Sequence, residues 1–221
     1  MKMDEMIRSF PRQINDQWNN LKSLEFNLDK FNGVENIVIA GMGGSAISGD
    51  IVKILTKNDL SVPITVIRDY SIPLWVNEST LFILSSYSGN TEEILSCFRA
   101  AILKSEKIIS ICTGGELESV SLDNNIKVVA LPSGYQPRAA LGFSLITLLS
   151  VLCKINLIKI NFIDQIIKAS DTLDVFYDDY CAENLLANSI ADEMKNGMIA
   201  IYGVESSTDY IASRFRAQIA E

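Results

Sequence analysis

The side chains best suited to binding chemistry lie in one short segment, residues 85–91, with the sequence SSYSGNT. An apolar run precedes this segment, and from Glu92 onward two acids and then apolar residues at helical spacing follow it. This pattern predicts a strand, a loop and a helix. Because the first amides of a helix lack internal partners and its dipole favours negative charge, hydroxyls placed there predict an anion site. The segment has no lysine and no GKS or GKT ending, so a monophosphate fits it better than the triphosphate of a P-loop protein.

Simple helix capping is the alternative interpretation of these hydroxyls, because Ser, Asn and Thr are ordinary capping and turn residues. However, three hydroxyls, those of Ser86, Ser88 and Thr91, surround Gly89. Capping the helix would need fewer. We therefore predict that Ser86, Ser88 and Thr91 bind phosphate.

A second candidate loop, rich in glycine, follows the apolar run NIVIA at residues 36–40. Its glycines allow the backbone to approach a ligand closely or to adopt positive φ, and Ser45 lies near the start of the next helix. Open α/β sheets bind ligands at the carboxyl ends of their strands. We therefore assign Gly43, Gly44 and Ser45 to the same phosphate site.

A dinucleotide site is the rival interpretation of the glycine loop. Gly41, Gly43 and Ala46 fit the loose fingerprint G-x-G-x-x-G/A, and Asp69 follows the next strand at roughly the ~20-residue distance expected of a ribose-binding acid. A lone fingerprint is weak evidence, and a dinucleotide site would not need a second loop rich in hydroxyls. The alternative for Asp69 is a turn residue in the sequence RDYSIP. A dinucleotide-dependent oxidoreductase therefore ranks behind a phosphosugar protein.

Arg138 is the only charged residue between Lys127 and Lys154, and it lies at the start of a long apolar run. An arginine in such a place must satisfy its donors, and it cannot become neutral by losing its proton. Its partner is therefore expected to be an anion, either a structural carboxylate or a substrate oxygen. We favour the substrate.

Five apolar runs alternate with helical patterns in the earlier part of the chain. The predicted strands are at residues 36–40, 64–67, 81–84, 107–112 and 126–131. Such alternation predicts an α/β fold with a doubly wound, five-stranded parallel sheet. Apolar residues at helical spacing within residues 1–31 add an N-terminal helix. The uncharged run 139–153 predicts a buried helix, because it is shorter than the ~20 residues of a membrane span.

The same pattern begins again near the end of the chain. Two predicted helices precede a predicted buried strand at residues 198–202 (MIAIY), and a loop and a helix from Asp209 follow it. We therefore divide the chain into residues 1–154, the N-terminal helix and a first domain, and residues 155–221, the start of a second domain of the same type. On this interpretation the chain is incomplete.

Composition restricts the partners of the protein. The net charge of the 221 residues is −8 and Lys and Arg form no cluster, which argues against a nucleic-acid surface. Four widely spaced cysteines and the absence of histidine argue against a metal site or a disulfide framework. The N-terminus is charged and has no signal-peptide core, so we predict a cytoplasmic protein without a membrane segment. We also expect a homodimer, because the apolar helix at 139–153 and the unfinished second sheet would expose apolar surface in a monomer.

Four stretches in this order, GMGGSAISGD, SSYSGNTEEI, YQPRAALG and RAQIAE, resemble the bifunctional phosphoglucose/phosphomannose isomerase family. That family is a branch of the sugar isomerase (SIS) superfamily with two SIS domains. The resemblance implies that Ser45 and the three hydroxyls of residues 86–91 hold the substrate phosphate. It also implies that Arg138 stabilises an enediolate and that Glu221 is the catalytic base, although Ala220 departs from the family's N-E-N-like motif.

The activity implied by the resemblance is aldose–ketose isomerisation of the glucose 6-phosphate/fructose 6-phosphate type, with mannose 6-phosphate open as a further substrate. This reaction moves a proton between C1 and C2 through a cis-enediolate, which calls for a carboxylate base and a nearby cation. No cofactor and no metal are implied. In the family a histidine and a lysine assist ring opening, and this chain has no histidine. We therefore expect it to bind sugar phosphate and to isomerise it slowly. A non-catalytic phosphosugar-binding module is the alternative.

Overall fold

The computed structural model describes residues 2–181, 186–195 and 197–220. Its centre is one sheet of five parallel strands in the order β2-β1-β3-β4-β5. The strands are β1 (Asn36–Gly41), β2 (Ile64–Ile67), β3 (Thr80–Ser85), β4 (Ile108–Cys112) and β5 (Lys127–Ala130). The sheet and its flanking helices confirm the predicted doubly wound α/β fold.

Nine α-helices and two short 3-10 helices lie in the described ranges. The α-helices are α1 (Met3–Arg8), α2 (Phe10–Leu21), α3 (Gly43–Leu55), α4 (Glu92–Ala101), α5 (Gly115–Asp123), α6 (Leu141–Lys154), α7 (Ile160–Cys181), α8 (Leu186–Met194) and α9 (Asp209–Ala220). The 3-10 helices are Leu28–Phe31 and Pro137–Ala139.

The central strands are buried on both faces, which explains why their sequences are continuous apolar runs. Alternate residues point to opposite faces, so Ile37 and Ile39 join a core with α2, α3 and α6, whereas Val38 and Ala40 join a core with α4 and α5. Two consecutive parallel strands can be joined only by a crossover connection, and such a connection joins each strand here to the next one in the chain. The carboxyl ends of all five strands consequently lie along one edge of the sheet.

The N-terminal region forms two helices instead of the one predicted. The break falls between Arg8 and Phe10, and Pro11 follows it in the first turn of α2. Proline has no backbone N–H to donate and restricts the residue before it, so a helix begins there more easily than it continues. Helix α2 then packs on α6 through buried residues that include Ile14 and Leu21.

Helix α6 is buried within its own chain from Leu141 to Leu152. The prediction of a buried helix is confirmed. One reason given for expecting a homodimer is wrong, because α2 and α3 already cover this helix. None of the helices in the described ranges combines the length and the apolar character needed to cross a membrane.

The predicted buried strand at residues 198–202 is wrong for the structure as described. These residues are not in a strand, and Met198 and Tyr202 are 100% and 91% exposed. A strand is stable only beside a partner strand, and none of the described strands runs along this segment. The division of the chain into residues 1–154 and 155–221 stays a prediction.

Candidate functional site

The two candidate loops leave neighbouring strands at the same level. Strands β1 and β3 are paired in parallel, and Gly41 at the end of β1 lies opposite Ser85 at the end of β3. The chain continues from β1 to β2 on one side and from β3 to β4 on the other, so the strand order reverses between β1 and β3. Doubly wound sheets bind ligands at this topological switch point. The glycine turn and the hydroxyl loop therefore begin on either side of the expected binding crevice.

Residues 86–91, the hydroxyl loop, form a hydrogen-bonded cluster of side chains. The hydroxyls of Ser86 and Thr91 bond to each other at 2.8 Å, and the Gly89 amide donates to Ser86 Oγ at 3.1 Å. The Asn90 amide donates to Ser88 Oγ at 3.2 Å. Ser86 is 2% exposed, whereas Ser88 is open to solvent. The loop thus has one buried and one accessible hydroxyl position.

Thr91 occupies the N-cap position of α4, but its side chain makes no capping hydrogen bond. Its hydroxyl turns instead to Ser86. The first amides of α4 have no partner inside the helix, and no side chain at the N-cap accepts from them. An arrangement built only for capping would use the threonine hydroxyl there. The capping alternative therefore does not account for the Thr91 hydroxyl.

Contacts with the backbone at the start of α5 fix the shape of the hydroxyl loop. Gly89 has φ +72°, and a Cβ at this position would collide with the carbonyl oxygen of Gly114. Its own carbonyl accepts from the Leu117 amide at 2.8 Å. Asn90 Oδ1 accepts from the Glu116 amide at 2.9 Å. The start of α5 thus holds the loop closed against β4.

Tyr87 connects the hydroxyl loop to the segment that carries Arg138. Its Oη donates to the Pro132 carbonyl at 2.8 Å and accepts from the Tyr135 amide at 3.1 Å. Burial raises the pKa of Tyr87, so its hydroxyl stays protonated and can fill both roles at neutral pH. Nothing in the sequence predicts a role for this side chain, because a tyrosine inside a hydroxyl-rich motif has no signature of its own.

The glycine turn after β1, residues 42–44, comes close to the turn that carries Arg138. Gly43 is exposed with φ +48°, and a Cβ on Gly44 would lie 3.0 Å from the Pro137 carbonyl oxygen. Ser45 lies in the first turn of α3 and is 7% exposed. The N-cap of α3 is Met42, which makes no side-chain cap. A second helix N-terminus without a side-chain cap therefore opens at the switch point.

A cleft of about 160 Å³ lies between the glycine turn, the turn that carries Arg138 and α9. Its lining includes Gly43, Gly44 and the partly buried Arg138, so three predicted site residues come together here. Arg68 also lines it and forms a salt bridge with Asp50. The lining residues from α9 are Ser213, Arg214, Arg216, Ala217 and Gln218.

The structure does not bring all predicted site residues into one cavity. Ser45, Ser86, Ser88 and Thr91 are not among the lining residues of the cleft. The pairing of β1 with β3 sets them beside it. The predicted base, Glu221, lies outside the described residues.

Asp69 behaves as a turn residue. Its Oδ1 accepts from the amides of Tyr70 and Ser71 at 2.6 and 3.3 Å. The strand order 2-1-3-4-5 also differs from the 3-2-1-4-5-6 order of a dinucleotide-binding fold. Both observations count against the oxidoreductase alternative. In the described part of the chain, His, Cys, Asp and Glu form no group of three that could hold a metal.

Curated relatives match nearly the whole chain, although no protein-family model matches it. The bifunctional phosphoglucose/phosphomannose isomerase of Caldicellulosiruptor bescii is 38% identical over 99% of this chain and 65% of its own length. The protein of the same name from Thermoplasma acidophilum is 34% identical over 98% and 65%. The D-glucosamine-6-phosphate 4-epimerase of Sulfolobus acidocaldarius is 29% identical over 85% and 57%. The chain therefore spans less than two thirds of the length of these relatives.

Solved structures share the fold at low sequence identity. The C-terminal domain of glucosamine-fructose-6-phosphate aminotransferase from Francisella tularensis superposes with a TM-score of 0.70 at 17% identity, over 96% of this chain and 64% of that one. The tagatose-6-phosphate ketose/aldose isomerase of Escherichia coli gives a TM-score of 0.60 at 19% identity, over 80% and 54%. These likenesses establish the fold.

Proposed function

Because this chain belongs to the bifunctional phosphoglucose/phosphomannose isomerase family, we propose that it binds a hexose 6-phosphate and interconverts its aldose and ketose forms. Glucose 6-phosphate and fructose 6-phosphate are the proposed pair, with mannose 6-phosphate as a further candidate. One relative is named as an epimerase of an aminosugar phosphate. A sugar phosphate is the substrate class that these names share.

The main support for the proposal is the position of the Thr91 hydroxyl. A threonine at the N-cap of α4 leaves the helix uncapped and pairs with Ser86 at the switch point. The amides of Glu92 and Glu93, in the first turn of α4, have no partner inside the helix and directly follow the hydroxyl loop in the chain. Neutral donors and a helix dipole suit a monophosphate, which is what a hexose 6-phosphate presents.

The hydroxyl loop keeps donors in reserve for a ligand. Of the Ser86 and Thr91 pair, one hydroxyl donates to the other, so one hydrogen remains for an anion. Ser88 Oγ accepts from a backbone amide and keeps its own hydrogen. Two hydroxyl hydrogens and the amides of the first helical turn can therefore donate to the oxygens of one phosphate.

The proposed reaction needs a base and a cation at the sugar carbons. A carboxylate removes the C2 hydrogen of the open-chain aldose as a proton, and the electron pair forms the C1–C2 double bond of a cis-enediolate. Arg138 stabilises the negative charge on the former carbonyl oxygen. Return of the proton to C1, with transfer of the O2 proton to O1, gives the ketose. We assign the base to Glu221 on the family resemblance.

The rate of this reaction in the present chain is expected to be low. Ring opening requires an acid and a base that exchange protons near neutral pH, and histidine is the side chain suited to both. The chain contains none. Binding is therefore the first property to measure.

A calorimetric titration tests the proposal. We expect glucose 6-phosphate and fructose 6-phosphate to bind, and unphosphorylated glucose and NAD to give no heat of binding. Binding of NAD without binding of either sugar phosphate would favour the oxidoreductase. Binding of sugar phosphate with no exchange of the C2 hydrogen would favour the non-catalytic module.

A homodimer in the cytoplasm is also proposed. Support for association now comes from the C-terminal helices, where Val175, Phe176, Ile211 and Phe215 expose large fractions of their apolar side chains. A second domain beginning in residues 155–221 would cover part of the same surface. Light scattering at micromolar concentration tests the dimer, and a monomeric mass would contradict it.

A further inference from the structure

The turn that carries Arg138 is held by three elements that are distant in the sequence. The Pro137 carbonyl lies against Gly44, at the start of α3. The Arg138 carbonyl accepts from Arg214 Nη2 of α9 at 3.1 Å. The Ala139 carbonyl accepts from Gln13 Nε2 of α2 at 2.7 Å. Each of these three consecutive carbonyls therefore meets a different element, and the contacts from α9 and α2 are side-chain hydrogen bonds.

Gln13 is 1% exposed and uses both ends of its carboxamide. While Nε2 donates to Ala139, Oε1 accepts from the Gly142 amide at 3.1 Å. The second hydrogen of Nε2 is shared between the Met6 carbonyl and Ser9 Oγ, both at 3.1 Å. The site thus requires one group that donates and accepts at the same time, which a carboxylate or a thioether cannot do.

The bond to Gly142 places Gln13 at the start of α6. The N-cap of α6 is Ala140, which has no polar side chain, and Gly142 is the second residue of the helix. Gln13 therefore accepts from an amide that a capping side chain would otherwise serve. A Cβ on Gly142 would lie 2.9 Å from Gln13 Cβ and 3.0 Å from the Phe10 carbonyl oxygen. Glycine at this position is what allows α2 to come so close.

We infer that Gln13 is a positioning residue for Arg138. It ties the backbone on the C-terminal side of the arginine to α2 and to the first turn of α6, and so it fixes where the guanidinium group can reach. From its sequence, the N-terminal helix is expected only to pack on the rest of the fold. The inference rests on the proposed function, in which Arg138 stabilises an enediolate.

The same helix supplies a matched control. Gln17 lies four residues after Gln13, is also 1% exposed, and donates to the Ala130 carbonyl and to Thr147 Oγ1, both at 3.0 Å. These partners are at the end of β5 and in the middle of α6. A change at Gln17 therefore removes a comparable buried carboxamide without touching the residues next to Arg138.

The experiment compares Gln13→Met with Gln17→Met in the 221-residue chain. Two probes are titrated by calorimetry: inorganic phosphate, and a phosphorylated sugar hydroxamate whose planar pair of oxygens mimics the enediolate. For Gln13→Met we expect affinity for the hydroxamate to fall by about tenfold to a hundredfold, since small misplacements of a reacting group have effects of that size. Phosphate affinity should change by less than about twofold, the spread expected for independent sites. Gln17→Met should leave both affinities unchanged, at a comparable loss of melting temperature.

The inference is overturned if Gln13→Met and Gln17→Met change the ratio of hydroxamate affinity to phosphate affinity equally. A purely structural role would lower the two affinities alike. Arg138→Met separates this outcome from failure of the proposed function. If the arginine variant keeps full hydroxamate affinity, the role of Arg138 is wrong. If wild type binds neither probe, the site is wrong.

Should Gln13→Met fail to fold, Gly142→Ala replaces it. This change keeps the carboxamide and pushes Gln13 away from α6. It should lower hydroxamate affinity severalfold while phosphate affinity stays the same. An unchanged hydroxamate affinity in a folded Gly142→Ala variant would count against the inference.

Discussion

The hydroxyl loop and the turn that carries Arg138 meet at one switch point but are built in opposite ways. The loop is held by the start of α5, directly after the neighbouring strand β4, through contacts with the backbone of Gly114, Glu116 and Leu117. The arginine turn is held by Gln13, Gly44 and Arg214, which come from the two ends of the chain and from a different strand connection. A local motif therefore specifies the neutral half of the site, whereas assembly of the whole fold specifies the charged half.

This difference predicts different ways to break the two halves. Backbone substitutions in the loop should damage folding and phosphate binding together. Side-chain substitutions around the arginine turn should damage chemistry while phosphate binding survives. Four sets of variants test the contrast, in order of decreasing effect.

Gly89→Ala should be the most damaging change. The position has φ +72° and faces the Gly114 carbonyl oxygen, so backbone strain and a collision add, and we expect a loss of about 2–4 kcal/mol in the free energy of unfolding. Urea denaturation measures it. Gly43→Ala is the control, because Gly43 has φ +48° with nothing within 4 Å, and its cost should be only the backbone term of about 1–2 kcal/mol. Equal losses would show that the contact with Gly114 does not constrain the loop.

Arg138→Met should come next, with its effect on chemistry. We expect the C2 hydrogen of glucose 6-phosphate to exchange with solvent deuterium roughly a hundredfold more slowly in this variant. A loss of that size is usual when one stabiliser of an oxyanion is removed. Binding of the sugar phosphate should change little. Nuclear magnetic resonance follows the exchange even where net turnover is slow.

Arg68→Met is the control for that prediction. Arg68 lines the same cleft and already pairs with Asp50. Its loss should slow exchange far less. If the two variants are equally slow, general positive charge in the cleft, and not the placement of Arg138, controls the rate.

Ser86→Ala and Thr91→Val should each weaken sugar-phosphate binding by ~1–3 kcal/mol, because each removes a hydrogen bond to a charged group. Their hydroxyls bond to each other, so the double variant should lose less than the sum of the two. Calorimetry measures the affinities. Ser119→Ala, an exposed serine in α5, is the control and should have no effect. If both loop variants keep wild-type affinity, the phosphate does not bind at this loop.

Tyr87→Phe should have the smallest effect, and it should affect both the hydroxyl loop and the turn that carries Arg138. The change removes the bonds to the Pro132 carbonyl and the Tyr135 amide, for which we expect about 1 kcal/mol in stability. Affinities for inorganic phosphate and for the phosphorylated hydroxamate should fall together and only slightly. A loss confined to one probe would show that Tyr87 serves one half alone.

The residues of the candidate site that have a local pattern could be proposed from the sequence alone. The apolar runs of β1 and β3, the glycines at Gly43 and Gly44 and the hydroxyls after β3 each have a signature within a few residues. Arg138 could be proposed because a single charge stands out in an apolar stretch, and it does line the cleft. These signals need no knowledge of distant contacts.

Parts that depend on distant contacts were missed or wrong. Gln13 looks like any polar residue of an amphipathic helix, and only the approach of α2 to Gly142 gives it a role. Residues 198–202 have the apolar, β-branched character of a strand, yet the described sheet offers them no partner. Propensity therefore described what these residues could form, and tertiary contacts decided what they do form.

The most direct test of the central claim is to map glucose 6-phosphate binding through backbone amide chemical shifts. If the phosphate binds at the switch point, the largest shift changes will fall on residues 88–93 and 43–45, and glucose without its phosphate will leave these amides unmoved. Phosphate binding at the switch point is ruled out if those amides stay unchanged at saturating glucose 6-phosphate while shifts appear elsewhere, or if no amide responds at all.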